Sequence, residues 1–223
     1  MHLRKSKKIL IYFSLLLILG SINNIALNKI KLSNISSIEI LGLGQENNNF
    51  LLENIKNLEL ENIFIINKDK LHNVIVSNSL VEKYDIFKVY PSSLYINIKK
   101  TEFLARLNHE GVNYIVGSNG RLSENRISNE NLPFIFGKPG INEFLKFKKT
   151  IDTSYFDYKE IRNFYYFTTG RWDLELYDNT IIKLPEKNVD QSLKLVFEFL
   201  NDENLVEKKV IDARVENQII LND

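Results

Sequence analysis

The chain has 223 residues, of which 44% are hydrophobic and 26% charged, the balance of a globular protein with a buried core and not of a disordered or fibrous one. Lys and Arg total 29 against 28 Asp and Glu, a formal net charge of +1, so no global field selects nucleic acid or an anionic surface. Cysteine is absent, which excludes disulfides, thiolate metal sites and Cys nucleophiles.

Arg4, Lys5, Lys7 and Lys8 open the chain and are followed by an uncharged, mostly apolar run, Ile9–Ile22. Asn23 and Asn24 interrupt that run, and Ile25, Ala26 and Leu27 resume it before Lys29. Read through Leu27 the segment spans about 28 Å as a helix, close to a hydrocarbon core. Read only to Ile22 it has signal-peptide length, but the small residues that a cleavage site needs are poorly placed around Asn24 and Ala26. A retained anchor over 9–28 is therefore the expectation. The basic cluster puts a tail, 1–8, in the cytoplasm and everything after residue 28 on the other side.

Ser36–Gly42 alternates Ile38 and Ile40 with Glu39 and Leu41 and predicts a strand ending in a glycine turn. Asn48–Leu58 places Phe50, Leu51, Ile55 and Leu58 at helical spacing behind a candidate cap at Asn47 or Asn48, and Asp69–Ser77 does the same with Leu71, Val74 and Ile75. Two strands follow, Val81–Tyr90 and Leu94–Lys99, joined by Pro91-Ser92-Ser93. In the second, Leu94, Ile96 and Ile98 form the apolar face. After Thr101 the texture becomes mostly strand: Asn113–Gly117 with a turn at Ser118-Asn119-Gly120, then Leu132–Phe136, a helix over Pro139–Ile151, and Phe164–Thr168. Arg171–Tyr177 points Trp172, Leu174 and Leu176 one way and Asp173 and Glu175 the other, onto a solvated face. A turn at Asp178-Asn179, the strand Thr180–Leu184, an amphipathic helix Val189–Leu200 and two strands, Val210–Val215 and Gln218–Leu221, close the chain.

Catalytic chemistry is not legible in these residues. His2, His72 and His109 stand in no metal-binding frame, and neither a G-x-S-x-G elbow nor a P-loop occurs. Gly42-Leu43-Gly44 starts a dinucleotide fingerprint that Asn47 then breaks. No cofactor, small-molecule substrate or nucleic-acid partner is expected, and the chain does not read as an enzyme.

The residues do carry a resemblance. Ile38-Glu39-Ile40-Leu41-Gly42 is similar to the "I-x-V-x-G" strand that opens a POTRA module, and Val89-Tyr90-Pro91-Ser92-Ser93-Leu94-Tyr95-Ile96-Asn97-Ile98 to the hairpin that closes it. Tyr114–Gly120, then Arg171-Trp172-Asp173-Leu174-Glu175-Leu176 with Asp178-Asn179-Thr180 and Lys183-Leu184-Pro185, then Ile211-Asp212-Ala213-Arg214, resemble in order the second domain of the FtsQ/DivIB family of bitopic bacterial cell-division proteins. Asn179 stands where the family has a turn glycine, and the acidic–Arg–x–Pro stretch is replaced by Lys99-Lys100-Thr101-Glu102-Phe103.

The resemblance implies an α+β chain with an N-terminal transmembrane helix, a small β-α-α-β-β POTRA domain over 33–101, and a mostly antiparallel β domain with helices over 102–223. It implies a non-enzymatic divisome scaffold in the inner membrane, enriched at the division septum, with a cytoplasmic N-terminus and a periplasmic C-terminal region. FtsB-like and FtsL-like bitopic proteins and other divisome proteins are the implied partners. Its implied partner site is a pair of edge strands, Val210, Ile211, Asp212, Ala213 and Arg214 with Gln218, Ile219, Ile220 and Leu221. Lys183 and Arg214 are the candidate contacts for acidic groups, and the strand bearing Leu94, Ile96 and Ile98 would engage other divisome proteins. Two rivals remain: a POTRA-bearing envelope assembly or secretion component, and a membrane-anchored envelope hydrolase built on Asp157, Glu160, Asp173 and Glu175.

Overall fold

A computed structural model describes residues 3–22, 34–124, 131–201 and 209–222. The N-terminal run forms a helix, α1 (Leu3–Ile22). Its uncharged part, Ile9–Ile22, is about 21 Å long, and no described helix combines the length and apolarity needed to cross a membrane. Positions 23–28 of the expected anchor lie outside the described residues.

The next elements are β1 (Ser37–Leu41), α2 (Gln45–Lys56), α3 (Lys68–Ser77), β2 (Val81–Val89) and β3 (Ser93–Lys100), the order expected from sequence. The three strands form one sheet in the order β1-β3-β2, with β1 parallel and β2 antiparallel to β3. Leu51 and Ile55 of α2 and Leu71 and Ile75 of α3 cover one face, where they meet Ile40, Leu94, Ile96 and Ile98. The α2 cap differs from expectation. Gly44, in the left-handed region at φ 88°, occupies the cap position, and Asn48 instead accepts from the Leu43 N–H at 3.0 Å. Asn67 caps α3 by accepting from Lys70 N–H.

The remaining strands build a second sheet of nine: β4 (Phe103–His109), β5 (Val112–Gly117), β6 (Leu122–Glu124), β7 (Phe134–Phe136), β8 (Ile161–Tyr166), β9 (Trp172–Leu176), β10 (Ile181–Lys183), β11 (Val210–Asp212) and β12 (Ile220–Asn222). Their order is β12-β11-β10-β9-β8-β7-β4-β5-β6. Five pairings are antiparallel, while β4/β7, β7/β8 and β10/β11 are parallel, each joined by a crossover. Strand β4 has no counterpart in the sequence reading. Its Phe-Leu-Ala-Arg-Leu-Asn-His stretch mixes both faces, and its identity comes from pairing with β5 and β7.

Two helices cover one face of this sheet: α4 (Ile141–Asp152), through Phe144, Phe147 and Ile151, and α5 (Val189–Leu200), through Leu193 and Val196. Trp172 from β9 stacks on Phe147 at 4.7 Å and 5°, and Phe144 meets Phe164 edge-on at 5.7 Å. These aromatic contacts each add about 0.5–1.5 kcal/mol beyond area burial and fix the helices over the middle strands.

Polar side chains join the two sheets. The turn after β5 presents Asn119, whose amide donates to the carbonyls of Ser79 (2.8 Å) and Val81 (3.0 Å), and Arg121 bonds the carbonyls of Val76 and Asn78. Ser118 donates to Glu82 at 2.9 Å, and Ser123 to Ser79 at 2.8 Å. The N–H of Thr101 meets the carbonyl of Leu80 at 2.9 Å. Because partly buried hydrogen bonds contribute about 0.5–1.5 kcal/mol each, an Asn119→Ala, Arg121→Ala double variant should weaken the junction by about 1–2 kcal/mol. Urea unfolding followed by hydrogen exchange should then show the small sheet opening ahead of the large one.

Candidate partner-binding face

The face of the large sheet away from α4 and α5 carries the polar residues of β8–β12. Register sets them in rows. Tyr165, Asp173, Lys183, Asp212 and Ile220 align across β8, β9, β10, β11 and β12, and Asn163, Glu175, Ile181 and Val210 align beside them. Asp173 and Asp212 are each only 4% exposed although they stand on the open side of the sheet. The solvated face expected for Asp173 is thus replaced by a carboxylate covered by its neighbours. Arg171 donates to Asp173 from Nε (3.2 Å) and Nη2 (3.3 Å). Arg214 clamps Asp212 from Nε (2.8 Å) and Nη2 (2.5 Å).

The two carboxylates respond oppositely. Burial raises the Asp173 carboxyl above its ordinary value, only partly offset by Arg171. Hydrogen bonding by Arg214 holds Asp212 below its ordinary value despite burial. Lys183 lies between the two in register, and its ammonium lowers both. Next to this row, Tyr165 Oη (2.6 Å) and Asn163 (2.8 Å) donate to Glu175, which lowers the carboxylate. Burial together with Glu175 pushes the Tyr165 phenol up to about 12. Phe136 stacks on Tyr165 at 5.0 Å and 9°, extending this face toward β7 as an aromatic step.

The Asp212–Arg214 pair makes a testable statement. Asp212→Asn should cost about 1–2 kcal/mol at pH 7, at the modest end for charge-assisted bonds because the Arg214 side chain is 44% exposed. The folded-state value lies below the unfolded one, so the stabilisation is present above about pH 4 and is lost as pH falls through the depressed value. Asp173 has the opposite sign: its ionisation opposes folding as pH rises through the raised value, so Asp173→Asn should cost less at pH 7 than Asp212→Asn. Urea titrations of both variants at pH 7 and pH 3.5 check the contrast, and the Asp212→Asn deficit should shrink at the lower pH.

The end of the sheet bears on the expected edge pair. β11 is not an edge: it is parallel to β10 on one side and antiparallel to β12 on the other, so Val210, Ile211 and Asp212 are paired twice. Among the described residues the edge strand at this end of the sheet is β12, and the expected second strand, starting at Gln218, is regular only over Ile220–Asn222. The N–H of Ile181 bonds Lys209 C=O, and the N–H of Ala213 bonds Lys183 C=O, which turns Ile211 toward β10 and Val210 and Asp212 toward β12. With Asp212 opposite Ile220 and Val210 opposite Asn222, alternation leaves the N–H and C=O of Ile219 and Leu221 directed away from the sheet.

The side chains divide the other way. Ile211 and Ala213 are buried, Ile219 and Leu221 pack against the large core, and Ile220 is 45% exposed on the polar face. Arg214 is engaged by Asp212, and Asn217, in the left-handed region at φ 56°, turns the chain back toward β12. In the small sheet, Leu94, Ile96 and Ile98 are buried in the central strand β3, so they are core and not a contact surface. The exposed positions of β3 are Tyr95, Asn97, Lys99 and Lys100. Exposure alternating with burial was visible in the sequence; which strand of the three sits in the middle was not.

Among the described residues no cluster of three metal-ligating side chains occurs. The four carboxylates that a hydrolase reading requires have separate attachments. Asp157 accepts from the N–H of Lys159 at the start of a short 3-10 turn, Asp173 pairs with Arg171, and Glu175 is held by Tyr165 and Asn163. Glu160 is exposed at the end of that turn.

The chain is similar to known cell-division proteins. Residues 105–214 match the family model described as the C-terminal domain of the cell division protein FtsQ/DivIB. A cell division protein FtsQ from Rhizobium radiobacter is 26% identical over 157 residues, which are 66% of this chain and 72% of the relative. The cell division protein FtsQ of Agrobacterium fabrum strain C58 is also 26% identical over 157 residues, 48% of its own length. Among solved structures, the major extracytoplasmic domain of the trans isomer of the cell-division protein DivIB from Geobacillus stearothermophilus aligns with a TM-score of 0.34 at 12% identity, over 48% of this chain and 99% of that one.

Proposed function

Because the chain belongs to the FtsQ/DivIB family of bacterial cell-division proteins, we propose that it works as a bitopic, non-enzymatic scaffold of the divisome, joining FtsB-like and FtsL-like partners to the septal peptidoglycan machinery. In this reading residues 33–101 are a POTRA domain, in keeping with the β-α-α-β-β order of the small sheet, and 102–223 are the partner-binding β domain.

The observation that carries the proposal is the free edge of β12. A strand from a partner adds there through the outward N–H and C=O groups of Ile219 and Leu221, and the backbone supplies the affinity. Ile220 and the row Asp212–Lys183–Asp173 supply the side-chain surface beside the added strand. Because Arg214 is already clamped on Asp212, the uncompensated attraction for an acidic partner group comes from Lys183 at the centre of that row. Lys183→Glu should therefore slow association and reduce its salt dependence, whereas Arg214→Ala should act mainly by releasing Asp212. Stopped-flow binding of an FtsB-like ectodomain at two ionic strengths reads both.

The anchor completes the proposal. In the sequence the apolar run resumes after Asn23 and Asn24 at Ile25, Ala26 and Leu27; read as one helix through Leu27 it would reach hydrocarbon length, with Arg4, Lys5, Lys7 and Lys8 holding the N-terminus in the cytoplasm. The full chain should then float with inner-membrane vesicles and resist carbonate extraction. Pull-down of FtsB-like and FtsL-like ectodomains by the detergent-solubilised full chain tests the partners themselves, and no capture of either would remove this reading.

A further inference from the structure

The small sheet ends in an exposed apolar tip. Phe64 (55% exposed) and Ile65 (68%) stand in the connection between α2 and α3, and Tyr90 (60%) stands at the β2–β3 turn, with its ring 5.1 Å from that of Phe64. Lys88 Nζ ties the connection to β2 by donating to Ile63 C=O at 2.6 Å, and Asn62 accepts from the N–H groups of Phe64 and Ile65. The tip is held by hydrogen bonds to its own backbone, which presents its apolar side chains outward. Lateral to it, Phe87 and Val89 are exposed on β2.

The position of the tip gives it a partner. The chain enters the small sheet here. Asn34 bridges to Asn62, the N–H of Ile35 bonds Glu61 C=O at 3.1 Å, and Ser36 meets the Ser92 hydroxyl at 2.8 Å. The junction with the large sheet lies at the opposite end of β2 and β3, where Val81 faces Lys100, about 27 Å away along a nine-residue strand. The tip therefore sits where the polypeptide arrives from α1, across the unit from the large sheet. With the anchor read over 9–28, only positions 29–33 separate it from Asn34, a tether of at most about 20 Å. Exposed acids around the tip (Glu59, Glu61, Asp69) are not outnumbered by the exposed bases beside them (Lys68, Lys70), so charge does not draw the tip to an anionic surface and its apolar side chains must carry the contact.

We infer that this tip is a membrane-interface contact: Phe64, Ile65 and Tyr90 insert at the headgroup–acyl boundary of the bilayer in which α1 is anchored. The inference rests on the anchor reading given above. Phe and Ile suit the acyl side and the Tyr hydroxyl suits the headgroup side of such a boundary. The tether keeps the tip at high effective concentration at the surface, so three side chains suffice where a free domain would need many more. The consequence is orientational: with its tip on the membrane, the small sheet stands upright and carries the β12 edge away from the bilayer, toward partners that cross the same membrane.

The absence of cysteine makes the test clean. The full-length chain carrying Ile65→Cys, labelled with an NBD fluorophore, is reconstituted in phosphatidylcholine vesicles containing doxyl-labelled lipid. A second sample is labelled at Tyr177→Cys, an exposed position at the turn between β9 and β10. Flotation reports the anchor independently of the probe. The inference expects floated protein with blue-shifted, lipid-quenched emission at position 65, unquenched emission at 177, and loss of the shift at 65 when Phe64→Asp and Tyr90→Asp are added. Floated protein whose position 65 emits as in water overturns the membrane contact while leaving the anchor intact, and assigns the tip to a protein partner. Quenching at both positions overturns it as well, since the surface contact is then unspecific. Failure to float overturns the anchor reading and the inference that rests on it. Circular dichroism of the labelled and triply substituted chains confirms that these exposed positions do not disturb the fold.

Discussion

A Leu221→Pro variant should bind an FtsB-like ectodomain roughly 10- to 100-fold more weakly than the unaltered chain, the effect of about 1.5–3 kcal/mol expected when an edge strand loses an outward donor and gains a ring in the path of the added strand. Leu221 is the decisive position because pairing of Asp212 with Ile220 and of Val210 with Asn222 consumes the backbone groups on either side of it. Two neighbours separate edge chemistry from simple destabilisation. Leu221→Ala keeps the N–H and trims only a partly buried side chain, so binding should stay within about threefold of wild type. Ile220→Pro removes a donor directed at β11, so it should lower the unfolding midpoint before it touches affinity. Titration calorimetry with urea midpoints on the three variants decides the matter. Equal losses of affinity in Leu221→Pro and Leu221→Ala would place recognition in the side chain and not in the backbone edge.

The reason the site was only half legible in the sequence lies in what a sequence pattern encodes. Alternation in Arg171–Tyr177 identifies Trp172, Leu174 and Leu176 as core, and their burial against Phe147 and Phe164 agrees. Alternation is silent on neighbours. It could not show that β11 runs parallel to β10 after the α5 crossover and therefore lies inside the sheet, nor that β3 is the central strand of the small one. Asp173 illustrates the same limit from the other side. An acid at an outward position reads as solvated, but the guanidinium of Arg171 two residues earlier folds over it and leaves it 4% exposed. The signal was present as the i, i+2 spacing of Arg171 and Asp173, repeated in reverse by Asp212 and Arg214. On a strand, i and i+2 share a face, so both spacings place opposite charges side by side.

The polar face also constrains how a partner strand can lie. Asp173 and Asp212 are each paired with an arginine, Arg171 and Arg214, and Lys183 lies between the two carboxylates, so the row holds one more cation than carboxylate. A partner bearing an acidic residue opposite Lys183 gains that attraction without disturbing either pair. A basic residue there meets an unfavourable charge. In the proposed binding mode, register would be discriminated by a single lysine, while the outward backbone groups of β12 would be indifferent to sequence. The proposed division would also account for the weak signature of the edge in the amino-acid sequence: a contribution made by the main chain leaves no residue pattern beyond a short β-branched run.

Gly42→Ala should unfold the small sheet at temperatures where the large one stays folded, at a cost of about 3–5 kcal/mol, above what a strained left-handed residue alone would incur. In sequence, Gly42 reads as the turn that ends β1. In the fold it does more. Its φ is +115°, and a Cβ placed on it would lie 1.8 Å from the carbonyl oxygen and 2.8 Å from the carbonyl carbon of Ile98, in the backbone of the central strand. A flexible side chain could move aside, but β3 cannot, because it is paired on both flanks and carries the buried Leu94, Ile96 and Ile98. The glycine that closes the Ile-Glu-Ile-Leu-Gly motif is therefore required for the close approach of β1's end to β3. Gly44→Ala is the matched control: its φ of +88° imposes similar backbone strain, but an added Cβ meets nothing within 4 Å, so its cost should stay near 1–2 kcal/mol. Hydrogen exchange read segment by segment distinguishes them. Gly42→Ala should collapse protection in β1–β3 while Trp172, Leu174 and Ile182 keep theirs. Comparable losses in the two variants would assign the whole effect to φ and remove the contact with Ile98 from the argument.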